Sequence, residues 1–307
     1  MRKPDFFIVG APKSGTTAMA DYLGQHPEIF MAKRKDSNFF GSDLRFVNTI
    51  MLPPDMFRVN EETYLSWFAD VRDEKRVGEA SVWYLYSKKA AKEIKEFNPD
   101  ADIIIMLRNP VDMLYSLHGQ FLYDFNEDIE DFEEALGAEE DRKRGLRIPT
   151  TAYLPEGLYY REVARFSEQV ERYINIFGRD RVLIIIFEEF KEDTKRVYKE
   201  TLRFLGVSTD FEADFRVVNP AKAVRSRRVM RFIADPPRLL RPLAEKLSTV
   251  GWLRDKVKWV LDRFNVKVSS RSPMDRQLRR RLLKEFAPEI ERLSKIIGKD
   301  LTFWLAE

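Results

Sequence analysis

The chain has 307 residues, with no cysteine and two histidines, so disulfides, thiolate chemistry and a histidine-rich metal site are excluded. Hydrophobic residues make up 44% and charged residues 34%, which places it among globular rather than disordered chains, and no run of about 18 apolar residues could span a membrane. The net charge of +3 is too small to name a partner, but it is unevenly spread: residues 124–141 hold ten acidic and no basic side chains, and 222–281 hold 18 basic against five acidic. Such blocks are usually solvated faces, and a basic block of this size also suits an anionic ligand nearby.

Short apolar runs alternate with longer amphipathic stretches. The run Phe-Phe-Ile-Val-Gly at 6–10 predicts a strand and is too short for the core of a signal peptide, so a cytoplasmic location is expected. A helix follows over 16–24, stopped by Gly24 and Pro27. Residues 28–31 and 76–79 predict two more strands, and 87–97 a helix. The continuous apolar stretch 102–107 has the character of a strand buried on both faces. Pro110 suits the first turn of a helix running to about Tyr123. A helix over 157–177, a second buried strand over 181–187 and a helix through Leu205 complete the alternation, with Gly206 as terminator. The pattern predicts an α/β fold, a doubly wound parallel sheet flanked by helices, in one domain spanning 1–307. The basic, proline-containing stretch 209–275 breaks the pattern and reads as a helical or irregular insertion over the ligand edge of the sheet. A helix over 275–297 closes the chain.

The sharpest motif is Gly-Ala-Pro-Lys-Ser-Gly-Thr-Thr, residues 10–17, between the first strand and the first helix. A loop so placed offers backbone N–H groups and a helix N-terminus to an anion. Gly10 and Gly15 match the ATP-binding pattern G-x-x-x-x-G-K-[ST], and Thr17 matches its magnesium-binding hydroxyl. Thr16 stands where that pattern has lysine, and Lys13 lies inside the loop instead. An ATP-dependent phosphotransferase is one reading of this loop, and a non-catalytic nucleotide- or polyanion-binding module is another.

Pro-Lys-Ser-Gly-Thr-Thr after an N-terminal strand resembles the 5′-phosphosulfate loop of sulfotransferases that use 3′-phosphoadenosine 5′-phosphosulfate (PAPS). Arg108-Asn109-Pro110, with Ser116 eight residues after the arginine, resembles that family's 3′-phosphate motif. Weaker pieces of the resemblance are Gly78-Glu79-Ala80-Ser81 with Tyr84-Leu85, Glu188-Glu189-Phe190, Phe204-Leu205-Gly206, Asn219-Pro220 with Arg225-Ser226, and the ending from Leu293 to Trp304. Together they span nearly the whole chain. The resemblance implies a P-loop-type sulfotransferase fold, with Lys13, Ser14, Gly15, Thr16 and Thr17 on the phosphosulfate. It implies Arg108, Ser116, Arg225 and Ser226 as the further nucleotide contacts, and no metal.

Sulfuryl transfer needs an in-line acceptor, a base for its proton and a cation near the leaving oxygen. Lys13 is the expected cation. Lys35-Asp36-Ser37-Asn38-Phe39-Phe40 resembles the K-E-x-x-[FY]-F stretch of glycan sulfotransferases, whose glutamate is the proposed base; Asp36 stands there, one methylene shorter. Strand 28–31 is expected to end beside the first strand and so carry Asp36 to the loop. Asp36 also reads as an ion-pair partner for Lys33 or Lys35. His118 and Glu79 are the other candidate bases, although His118, two residues beyond Ser116, points about 200° away from it on a helix. His26 reads as the cap of a turn. Trp83, Tyr159 and Tyr160 are candidates for stacking on adenine that a core would equally claim. The resemblance implies a carbohydrate hydroxyl or amine as acceptor, with other alcohols open and an anionic glycan suited to the basic block. No aromatic-basic motif predicts a nucleic-acid partner.

Overall fold

The protein is described by a computed structural model over residues 2–47, 58–216, 222–224, 266–268 and 272–306. In chain order the elements are β1 (Phe6–Gly10), α1 (Thr16–Gly24), β2 (Ile29–Met31), α2 (Glu61–Ser66), β3 (Arg76–Ala80), α3 (Ala90–Phe97), β4 (Asp102–Leu107) and α4 (Pro110–Asp124). They continue with α5 (Phe132–Gly137), α6 (Glu139–Lys143), α7 (Tyr160–Val163), α8 (Phe166–Phe177), β5 (Val182–Ile186), α9 (Phe187–Glu192) and α10 (Thr194–Leu205). A short antiparallel pair, β6 (Lys222–Val224) and β7 (Val266–Val268), precedes the long α11 (Arg276–Ile297).

Five strands form one sheet in the order β2-β3-β1-β4-β5, and every pairing is parallel. The apolar runs are continuous because both faces are covered. Phe7, Val9, Ile103, Ile105 and Leu107 join one core with residues of α3, α4, α8 and α11, while Phe6, Ile8, Ile104 and Met106 join the other with α1 and α10. Alternate side chains of one strand therefore enter two different cores, as the period of two demands. At the amino edge of the sheet, Arg76 bridges Asp5 at 2.6 Å and Asp102 at 2.7 Å and so ties β3 to β1 and β4.

Three sequence expectations are corrected. Residues 28–31 do form a strand, but β3 lies between it and β1, so its end does not adjoin β1. The stretch 157–177 is not one helix: it breaks between α7 and α8, where Gln169 Nε2 donates to the carbonyls of Glu162 and Val163 at 3.2 and 3.1 Å. The break turns the chain so that Tyr160 and Phe166 are both buried. The helix expected from the end of β5 to Leu205 is two, because the Asp193 side chain accepts from Arg196 N at 3.0 Å and starts a new one. Gly206 terminates α10 in the left-handed conformation, as expected. Most of 209–275 lies outside the described residues. Among the described residues no helix is long and apolar enough to cross a membrane.

Candidate functional site

β1 leads through α1 toward β2 on one side, and β4 leads toward β5 on the other. The carboxyl ends of β1 and β4 therefore flank the point where the connections diverge, the place where open parallel sheets hold ligands. Residues 10–17 leave β1 at that point, and Arg108 leaves β4 there.

The loop is shaped by its glycine. Gly15 caps α1 at φ 86°, and a Cβ there would come within 3.0 Å of the Phe187 ring. Only glycine meets both demands. The same ring carries the Arg108 guanidinium, 4.9 Å from its centroid, while Arg108 Nη1 donates to the Lys13 carbonyl at 3.2 Å. Arg108 is thus fixed to the loop by a hydrogen bond and to α9 by a cation–π contact. Burial lowers its pKa first; Asp112 and Glu188 oppose that, and Arg279 adds to it. Ser14 and Thr16 are buried, and Ser14 Oγ donates back to the Pro12 carbonyl at 3.3 Å.

Lys13 is half-buried, at φ 60°, and its Nζ donates to Gln120 Oε1 of α4 at 3.0 Å. Gln120 Nε2 in turn donates to Asp124 at 2.8 Å. Burial lowers the Lys13 pKa, Asp124 opposes this, and Arg108 and Lys35 add to it. Since Gln120 meets the loop, the face of α4 carrying Ser116, Gln120 and Asp124, spaced four apart, is the face turned toward it. His118 lies on the other face. Its ring is fully buried near Phe132 and Tyr160, with Nε2 2.9 Å from the Ile129 carbonyl, which removes it as a candidate base.

Asp36 reaches the site although β2 is two strands from β1. After β2 the chain crosses the end of β3: Asp36 N donates to the Ala80 carbonyl at 2.9 Å, and Asp36 Oδ1 accepts from Val82 N at 3.2 Å. Asp36 and Asn38 both take positive φ in this crossing, 56° and 46°. Neither expected ion pair forms. Lys33 pairs with Asp70 at 2.9 Å in solvent, and Lys35 Nζ donates to Thr17 Oγ1 at 2.6 Å. Asp36 and Asp124 both lie near enough to the Tyr153 hydroxyl to add to the rise in its pKa that burial causes.

Glu79 sits beneath this crossing and is fully buried, so it meets no acceptor directly. Its Oε1 accepts from Ser81 Oγ at 2.5 Å and Ser37 Oγ at 3.2 Å, and Ser37 is 2.7 Å from the Tyr84 hydroxyl. Burial, with a smaller push from Asp36, raises its pKa to about 7 against these hydrogen bonds. The aromatic candidates are mostly core. Trp83 stacks on Phe121 at 5.9 Å, and the buried Tyr160 hydroxyl donates to Glu127, itself in a fully buried ion pair with Arg142 at 2.7 Å. Tyr159 is half-buried and donates to the Arg142 carbonyl at 3.4 Å. His26 accepts from Glu28 N at 3.0 Å and so caps a turn, as read from the sequence. Arg225 and Ser226 lie outside the described residues.

Three groups at the site escaped the sequence reading. Gln120 and Asp124 were signalled by the four-residue spacing from Ser116. Lys35 on Thr17 had no local signal. The third is a clasp behind Arg108: Glu188 accepts from Asn109 N at 3.2 Å and from Trp304 Nε1 at 3.0 Å, and Asn109 Nδ2 donates to the Trp304 carbonyl at 2.7 Å. Part of the basic block is spent on structure, since Arg279 pairs with Asp112 and Arg281 with Glu133 at 2.7 Å.

A loop of this kind at a parallel-sheet switch point defines a P-loop-like nucleotide-binding fold. The family model described as "Sulfotransferase domain" matches residues 3–222, and the chain belongs to that family. A crystal structure of a sulfotransferase from Alicyclobacillus acidocaldarius superposes with a TM-score of 0.72, 33% identity and 99% coverage of both chains. Human bifunctional heparan sulfate N-deacetylase/N-sulfotransferase 3 is 27% identical over 219 residues, 67% of this chain and 22% of that protein. Human carbohydrate sulfotransferase 15 is 24% identical over 270 residues, 73% of this chain and 47% of that protein. The chain thus spans between about a fifth and a half of these curated relatives.

Proposed function

We propose that this protein transfers a sulfuryl group from PAPS to a hydroxyl or amine of a carbohydrate. The observation that carries the reading is the placement of the 10–17 loop and Arg108 at one switch point, with Asp36 over the neighbouring end of β3 and next to Lys35, which contacts Thr17. The loop N–H groups and the α1 N-terminus suit the 5′-phosphosulfate. Arg108, held on Phe187 and the loop carbonyl, suits the 3′-phosphate, with Ser116 on the facing side of α4. Lys13 supplies positive charge for the leaving oxygen, where charge develops as the sulfur–oxygen bond breaks. Asp36, fixed by Val82 N, takes the acceptor's proton. Two observations support a sugar acceptor: the carbohydrate and heparan sulfate sulfotransferases among the relatives, and the resemblance of the Lys35–Phe40 stretch to that of glycan sulfotransferases.

The test is a calorimetric titration with adenosine 3′,5′-bisphosphate in the presence of a chelator. The wild type should bind, because Lys13, Arg108 and the loop N–H groups supply the counter-charge. Arg108→Ala should weaken binding by about 2–3 kcal/mol, the scale of a charge-assisted contact. It should leave the affinity for adenosine 5′-monophosphate nearly unchanged. Equal affinity of the wild type for both nucleotides would remove Arg108 from the 3′-phosphate. A labelled-PAPS screen of glycans, with non-sugar alcohols as controls, then tests the acceptor class.

A further inference from the structure

Two lysines approach the phosphate loop, and they are placed differently. Lys13 comes from within the loop and reaches across to Gln120 on α4. Lys35 arrives from the crossing after β2, and its Nζ lies 2.6 Å from Thr17 Oγ1 in the first turn of α1. Thr17 is the hydroxyl that in ATP-binding loops coordinates magnesium. Here a covalently tethered ammonium holds that hydroxyl.

Lys35 has three N–H donors, and Thr17 takes one of them. Among the described residues no carboxylate forms an ion pair with it; Asp36 and Glu79 act on it only at longer range. The side chain is half-buried, and burial lowers its pKa against those two carboxylates. A partly desolvated cation held by one neutral hydroxyl is costly unless an anion meets it. The nearest feature built for an anion is the helix N-terminus on which Thr17 sits.

From this placement we infer that Lys35 is a second catalytic cation, bound to the 5′-phosphosulfate beside Thr17 in the position that a metal ion takes in ATP-binding loops. The inference rests on the PAPS reading above. In transfer, the acceptor oxygen or nitrogen bonds to sulfur while the bond from sulfur to the 5′-phosphate oxygen breaks. The electron pair stays on that oxygen, and the acceptor proton goes to Asp36. Lys35 and Lys13 then face the growing charge from two sides, Lys35 from the α1 turn and Lys13 from the loop. Neither lysine gives up a proton in this step.

Lys35→Gln removes the charge while its amide can still donate to Thr17, and Lys35→Met removes both. Each is titrated with adenosine 3′,5′-bisphosphate and with adenosine 3′-monophosphate, which lacks the 5′ group. Both variants should bind the bisphosphate about 10- to 100-fold more weakly and the 3′-monophosphate within about twofold of wild type, as expected for one lost charge-assisted contact. Equal weakening of both ligands would mean a structural role for Lys35, and unchanged binding of both would place it off the ligand; either result overturns the inference. If the wild type binds neither nucleotide, the PAPS reading itself falls. If the wild type binds both but the variants match it, only the Lys35 inference falls.

Discussion

Asp36→Asn is expected to fold, to bind adenosine 3′,5′-bisphosphate as the wild type does, and to lose about 10²–10⁴-fold in transfer rate, the range for a missing general base. Asparagine keeps the oxygen that accepts from Val82 N, so the crossing after β2 stays in place. Its amide cannot take the acceptor's proton. Asp36→Glu should retain part of the rate, because a carboxylate is still present but its oxygens reach one methylene too far. His118→Ala separates the roles. With its ring buried and hydrogen-bonded to Ile129, that change should lower stability and leave the chemical step of the folded enzyme close to wild type. Full transfer by Asp36→Asn under single-turnover conditions would show that the proton leaves by another route.

Glu79→Gln should change how stability depends on pH. Burial raises the Glu79 pKa from 4.5 to about 7 in the folded protein. Between those values the folded state binds more protons than the unfolded one, so stability falls as pH rises. The contribution is complete below about pH 4.5 and lost once the pH has passed through about 7. The span corresponds to on the order of 3 kcal/mol at one carboxyl. Glutamine imitates the protonated acid and still presents an oxygen to Ser37 and Ser81. Denaturant unfolding at pH 5 and pH 8 should therefore show the variant gaining on the wild type by about that amount as pH rises. Parallel pH profiles for the two proteins would mean that Glu79 is ionised in the fold throughout the range.

Much of the architecture was legible because burial on both faces leaves an unambiguous mark. Residues 102–107 and 182–186 could hardly be anything but strands covered on both faces, since their alternate side chains enter two different cores. The loop at 10–17 was legible because its strand, glycines and helix are contiguous. The position of β2 was not, since nothing local in Ile29–Met31 says whether its neighbour is β1 or β3. The same blindness hid Lys35. Its partner Thr17 is 18 residues away in the chain, whereas the sequence offers only the adjacent Asp36, read as an ion-pair partner for Lys33 or Lys35. Trp83 and Tyr160 illustrate the opposite problem: an aromatic side chain gives the same signal whether it stacks on a base or on Phe121.

The clasp among Asn109, Glu188 and Trp304 gives the fold an order of completion. Translation delivers the last strand of the parallel sheet at Ile186, well before the residue that closes the turn behind Arg108. A nascent chain can thus assemble its central layers while the Asn109 side chain still lacks its carbonyl partner. The carboxyl end of β4 therefore acquires its full set of hydrogen bonds only after residue 304 has left the ribosome, later than the strands it joins.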